Sequence, residues 1–257
     1  MTSPLSADRA DFRLALSAHL ARFAERGIRL SFWWRDDDAV EPTAALDRLI
    51  NLANRFNVDI GLAVIPKNAS EALAERLDEE PHAIVLQHGW QHKNHQVKEE
   101  GEKAAELGTR RDMDAVLREL IMGREKLEAL FGDRFIPALV PPWNRISDEI
   151  AAAAAGIGLP GLSTFTSNVE KAPHRLQTHL DPIKWKRERR FIGWDSATRR
   201  FDEIFEQRMT DPGEPIGLLS HHLVMDDAHF AFFEDVLDIA TDHPGAQWPS
   251  LRDLFGL

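Results

Sequence analysis

The 257-residue chain has no cysteine. Disulfides and thiolate chemistry are therefore excluded, and any bound metal must rely on histidine and carboxylate ligands. Positive charge is also scarce: 31 lysines and arginines face 42 aspartates and glutamates, a formal net charge of −11. A broadly acidic surface repels nucleic acid and anionic membranes, so a small or neutral substrate is the expected partner. No apolar run approaches the length of a membrane span, and Asp8, Arg9, Asp11 and Arg13 stand where a signal peptide needs apolar residues. A cytoplasmic location is the resulting expectation. Neither GxGxxG nor GxxxxGK[ST] occurs, which weakens a nucleotide-binding reading. No repeat, low-complexity tract or linker divides the chain, and 43% hydrophobic residues suffice for one core, so a single domain over 1–257 is expected.

What is present is an alternation of strand and helix. An N-terminal helix is expected over about 6–27, with Phe12, Leu16, Leu20 and Phe23 at helical spacing and Gly27 closing it. Strand-like "IRLSFWW", "VDIGLAVI" and "HAIVLQ" then alternate with helix-like "PTAALDRLINLANRF" and "ASEALAERL". A long helix over roughly Thr109 to Phe131 precedes a strand "FIPALV", a helix near Ser147 to Ala155 and a short strand near Leu159 to Ser163. Asn168 to Trp194 is irregular and reads as a loop or hairpin lying over a site, before helical "FDEIFEQRM", the strand "PIGLLSHH" and a helix near Ala228 to Ala240. Such alternation implies parallel strands with crossover helices, an α/β fold with either an open sheet or a closed barrel.

Four polar clusters fall at the C-terminal ends of expected strands: "RDDD", "HGWQHKNH", "VPPWN" and "LLSHH". In barrels and open α/β sheets the loops leaving those ends build the site. His88 and His92 stand four apart, which on a helical turn puts two imidazoles on one side, able to share an ion. Asp36, Asp37 and Asp38 alternate between faces if the strand runs straight, so a break at Asp38-Ala39 is needed to bring two adjacent aspartates together, with Asp36 turned toward Arg35 or solvent. An Asp-His-His set with an open position is a catalytic type of metal site, in which the ion acidifies water and polarises a carbonyl. A remaining aspartate could then act as general base, and His221 or His222 as the acid that protonates a leaving amine. Consecutive prolines leave no N–H until Trp143, whose amide could donate to an oxyanion. Trp90 and Trp143 are candidates for stacking on a substrate ring.

These clusters, in this order, resemble the motifs of the polysaccharide deacetylase superfamily, carbohydrate esterase family 4, over roughly Ile28 to Leu223. The resemblance implies a distorted (β/α)7 barrel and a metal-dependent hydrolase of an N-acetyl or related amide, acting on a saccharide or saccharide precursor. It implies His88 and His92 as metal ligands, His221 as catalytic acid and the Trp143 amide at the oxyanion. Two registers fit the aspartates: Asp37 as base with Asp38 as ligand, or Asp36 with Asp37. The first is preferred, because Ala39 then takes the place of a small residue at the following turn. The divalent ion would be Zn²⁺ by ligand type, with Co²⁺, Mn²⁺ or Ni²⁺ as alternatives.

Two departures from the family pattern stand out. Val140 replaces the arginine expected before Pro141-Pro142, so Arg145 or Arg35 would have to orient the base. Asn144 replaces the usual glycine after the aromatic, and His179 with Asp181 could line the pocket in place of a fourth motif. Pro142, Asn144 and Arg145 join Trp90 as substrate-binding candidates. Two other readings stay open: hydrolysis of another non-peptide C–N bond, such as a cyclic imide or ureide, and a sugar-binding protein without turnover.

Overall fold

The computed structural model of the protein describes residues 4–165, 174–186 and 188–257. Helix α1 (Pro4–Ala24) leads through a turn at Gly27, where φ is +68°, into strand β1 (Leu30–Ala39). There follow α2 (Ala44–Phe56), β2 (Ile60–Val64), α3 (Glu71–Leu77), β3 (Ala83–His88), α4 (Met113–Phe131), β4 (Phe135–Val140), α5 (Asp148–Ala154) and β5 (Gly161–Leu162). The irregular stretch contains an antiparallel hairpin of β6 (Ile183–Lys184) and β7 (Arg190–Phe191), while residues 168–173 and 187 of it lie outside the described residues. The chain closes with α6 (Trp194–Thr210), β8 (Ile216–Ser220), α7 (Asp227–Asp242), β9 (Ala246–Gln247) and α8 (Leu251–Phe255).

The main sheet is parallel, in the order β5-β4-β3-β2-β1-β8, with β9 added beside the start of β1. Between its two ends run residues 174–180, whose isolated bridges Leu162↔Arg175 and Phe165↔Thr178 face one edge and Leu180↔Leu218 the other. This seventh, irregular member curls the sheet into the expected distorted barrel. β1 extends five residues beyond the apolar run, because Arg35, Asp36 and Asp37 stay in register with Gly61, Leu62 and Ala63 of β2.

Alternation along β1 separates two cores. Phe32 and Trp34 point outward into the large cluster shared with the helices, where Trp34 stacks on Phe233 of α7 at 5.0 Å. Trp33 points into the lumen with Ala63, Leu86, Ala138, Val140 and Leu176, and Leu251 and Phe255 of α8 plug its lower end. The Trp33 indole N–H donates to the Gln177 carbonyl at 2.9 Å. A side chain at position 217 would overlap that indole and carbonyl, so the close approach there requires Gly217. α1 lays Phe12 against Trp194, Phe201 and Phe232 and fixes Arg9 and Arg13 on the buried Asp235.

Candidate active site

The lumen side of β1 carries Trp33, Arg35 and Asp37 in ascending order toward the C-terminal mouth. At Asp38 the backbone turns left-handed, with φ +78°, and the register with β2 slips between Asp37 and Ala39. A bulge of this kind re-aims side chains. Here it lets adjacent Asp37 and Asp38 both face the mouth. Asp36 faces the other way, yet neither Arg35 nor solvent receives it as the sequence suggested. It is fully buried and accepts from Ser220 Oγ at 2.6 Å, from the His222 amide at 2.9 Å and from His222 Nδ1 at 2.5 Å. Burial depresses the His222 imidazole, but the Asp36 carboxylate outweighs it and raises the pKa, so the two form a buried ion pair behind the site.

Asp38, His88 and His92 converge, their ligand atoms all within 4.8 Å of one another. Asp38 Oδ1 lies 3.3 Å from His88 Nε2 and 3.4 Å from His92 Nε2. His88 Nδ1 sits 2.9 Å from the Val140 carbonyl, which can only accept, so Nδ1 carries the proton and Nε2 presents its lone pair to Asp38. Lone pair and carboxylate oxygen face each other, and Asp38 Oδ1 is buried without a hydrogen-bond partner among the described residues. A cation placed between them would satisfy both. Burial pushes His88 down, but Asp37 and Asp38 outweigh it and raise its pKa. Burial likewise pushes Asp38 up, and His88, His92 and His221 hold it far below the carboxylate range. His92 is lowered by burial and by His88 beside it. Two neutral-capable imidazoles and an ionised carboxylate fit a divalent ion with nitrogen and oxygen preference.

The histidine pair does not lie on a helical turn. Gly89 at φ +55° and His92 at φ +54° curl the chain into a loop instead. A carboxylate from a distant loop shapes it: Glu106, fully buried, accepts the amides of Trp90 at 3.1 Å, Gln91 at 2.9 Å and His92 at 3.3 Å. A side chain at Gly89 would strike Glu106 and Pro142.

Beside this triad, Asp37 is 2% exposed and lies against the guanidinium of fully buried Arg35. Arg35 Nη2 donates to Asp37 Oδ2 at 3.1 Å, and Nε approaches Oδ1 at 2.8 Å. Arg35 also donates to Ser163 Oγ at 2.7 Å and to Asn144 Oδ1 at 2.6 Å, which fixes its plane. Arg145 is not there; it donates to the Ala104 carbonyl. His221 Nε2 stands 3.9 Å from Asp37 Oδ2, and its Nδ1 is buried without a partner among the described residues. The Trp185 ring meets His221 edge-on at 4.6 Å. Asp181 receives the Trp185 indole N–H at 2.6 Å and the Ile183 amide at 2.8 Å, and burial raises its pKa against the opposing effect of His221.

On the opposite flank Trp143 and Asn144 both have positive φ, at 56° and 55°, and the Trp143 ring packs on His92 at 4.2 Å. No acceptor among the described residues takes the Trp143 N–H. The site is thus a row: Trp143, His92, Asp38 with His88 beneath it, Asp37, His221, Trp185. Trp90 engages the loop through its backbone, donating to Glu106 and accepting from the Lys67 amide at 2.9 Å. His179 stands apart. It is bonded to the Gly217 amide near the start of β8 and to Glu214, at the far end of that strand from His221.

Four residues of this arrangement escaped the sequence reading. Glu106, Ser163 and Trp185 come from segments without motif character, although Trp185, an aromatic in a polar stretch, carried a usable signal; Ser220 stands inside "LLSHH", where the histidines carry the obvious chemistry.

No family model and no curated protein matches the chain. Solved structures do. A protein of Mycobacterium smegmatis described as a polysaccharide deacetylase shares 16% identity at a TM-score of 0.60, over 84% of this chain and 77% of that one. A mutant of a Bacillus subtilis peptidoglycan deacetylase shares 17% at 0.56, over 88% and 90%. A family 4 acetyl xylan esterase of Clostridium thermocellum, solved with a cobalt ion, shares 12% at 0.53, over 88% and 90%. The chain therefore has the (β/α)7 fold of the polysaccharide deacetylase superfamily. At such identities the likeness is one of fold, and the chemistry must be argued from the site.

Proposed function

We propose that the protein is a metal-dependent hydrolase that removes an N-acetyl or related amide group from a saccharide or saccharide precursor in the cytoplasm. The observation that carries this reading is the triad Asp38, His88 and His92, with buried Asp37 beside it and His221 beyond. Asp38, His88 and His92 would hold the ion, Zn²⁺ by ligand type. When bound, a divalent ion supplies an electrophile for the amide carbonyl and lowers the pKa of water. The chain's own groups do the rest. Asp37 takes the proton of the attacking water, and Arg35, donating to that carboxylate, holds it in place. His221 delivers a proton to the leaving nitrogen. The Trp143 amide, held outward by its left-handed backbone, donates to the developing oxyanion.

Arg35 supports turnover over a binding-only reading, since it gives Asp37 the cationic partner that Val140 cannot. Metal analysis of wild type and His88→Ala, coupled to acetate release from a panel of N-acetylated compounds, tests the proposal. One ion per wild-type chain with acetate release, both lost in His88→Ala, is expected. A wild type without stoichiometric metal after reconstitution, or with metal but no amide turnover, would sink it.

A further inference from the structure

The hairpin of β6 and β7 reads "IKWKRERRF", the most basic stretch of a chain whose net charge is −11. Its position is not incidental. Asp181 pins the hairpin through the Ile183 amide and the Trp185 indole, Arg200 of α6 donates to the Asp181 carbonyl at 2.9 Å, and Trp185 abuts His221. The Arg189 guanidinium lies 5.9 Å from the Trp185 ring centroid, so one indole separates a cation from the candidate catalytic acid.

Among the described residues, most of these cations lack a carboxylate partner. Elsewhere the excess of carboxylates is put to use: Arg9 and Arg13 pair with Asp235, Arg48 with Asp227, Arg76 with Asp47 and Arg111 with Glu119. Lys184, Lys186 and Arg189 are exposed and have no carboxylate partner among the described residues, and Arg190 meets only Glu188, at 3.8 Å with both side chains largely in solvent. A solvated pair of that kind neutralises little. In an acidic protein, clustered unpaired cations at the mouth of a site concentrate an anionic ligand that the rest of the surface repels.

We infer that the substrate carries an anionic group, a carboxylate or a phosphate, on the side of the sugar that faces the hairpin. This rests on the deacetylase reading and narrows it: the neutral ligand suggested by the overall charge is replaced by an acidic one at this rim. Lys184, Lys186 and Arg189 are specificity residues outside the reacting centre, and Trp185 forms the wall between the two.

The test compares N-acetylglucosamine, its 6-phosphate and N-acetylmuramic acid on the metal-loaded wild type, by thermal stabilisation and by acetate release. The charged sugars should stabilise the protein at concentrations about tenfold lower than the neutral one. That preference should vanish between about 50 mM and about 500 mM salt, as screening shortens the range of the field. It should also vanish in Lys184→Gln/Lys186→Gln/Arg189→Gln, which keeps its response to the neutral sugar. A stronger response to the 6-phosphate or to the carboxylate decides between the two anions. Equal response to charged and neutral sugars, no response to any, or a preference that survives in the triple variant overturns the inference. Acetate release judges the deacetylase reading separately: release from the neutral sugar alone keeps that reading and removes the anion, and anion preference without release does the reverse.

Discussion

Glu106→Ala would remove the acceptor of three consecutive amides, those of Trp90, Gln91 and His92. Each buried N–H left without a partner costs about 1–3 kcal/mol, and hydrogen bonds to a charged acceptor sit at the upper end. Water entering the vacated space would satisfy part of the loss, which leaves about 3–5 kcal/mol for the three together. The loop also places His92, whose φ of +54° is unfavourable without that support. Metal affinity should therefore fall by about 10–100-fold, the usual effect of removing a group that orients a ligand. Urea unfolding of metal-free protein reads the first quantity, and competition with a chelator reads the second. Glu106→Gln keeps one acceptor oxygen but turns an NH2 toward the loop, so it should fall between wild type and alanine on both measures. An alanine variant that loses less than about 1 kcal/mol and binds metal as wild type does would refute this account of the loop.

Arg35→Met leaves the Asp37 carboxylate buried without its cation, which should cost about 3–5 kcal/mol in urea unfolding. Adding Asp37→Asn should recover part of that loss, and an unchanged double variant would show that the pair is not coupled. A pH effect follows from His179. Burial holds it below its ordinary value of 6.5, with Arg208 adding to burial and Glu214 opposing. The unfolded chain therefore takes up a proton below about pH 6.5 that the folded one refuses, so this contribution is present above that pH and lost as pH falls. His179→Asn should flatten the decline of the urea midpoint between about pH 6.5 and 5, and a slope parallel to wild type would contradict it.

The barrel was legible because strands covered on both sides read as short apolar runs, "IGLAV" in β2 being the plainest. The end of β1 was not. Four charged residues in sequence ordinarily mark a strand's exit into water, and here Arg35 pairs with Asp37 and Asp36 with His222 inside the fold. Tertiary pairing of that kind has no local signature. The spacing of His88 and His92 pointed to a shared ion, but the helical turn inferred from it ignored Gly89 between them, whose left-handed backbone makes a loop. The family resemblance left two registers for the aspartates, and the positive φ at Asp38 is what puts Asp37 and Asp38 on the same side. Glu106 is one of two glutamates in "GEKAAELG", fourteen residues beyond the ligand it orients, and nothing local distinguishes it from the other. His179 and Asp181 were grouped by proximity in sequence, yet the chain between them climbs away from Gly217 to the hairpin, so only Asp181 reaches the row.

Metal content of the single aspartate variants bears most directly on the central claim, that Asp38 binds the ion while Asp37 stands beside it as the base. After reconstitution, wild type and Asp37→Asn should each hold one ion per chain, with turnover lost in the latter, and Asp38→Asn should hold none. An Asp37→Asn protein that has lost its metal while Asp38→Asn keeps it would contradict the assignment.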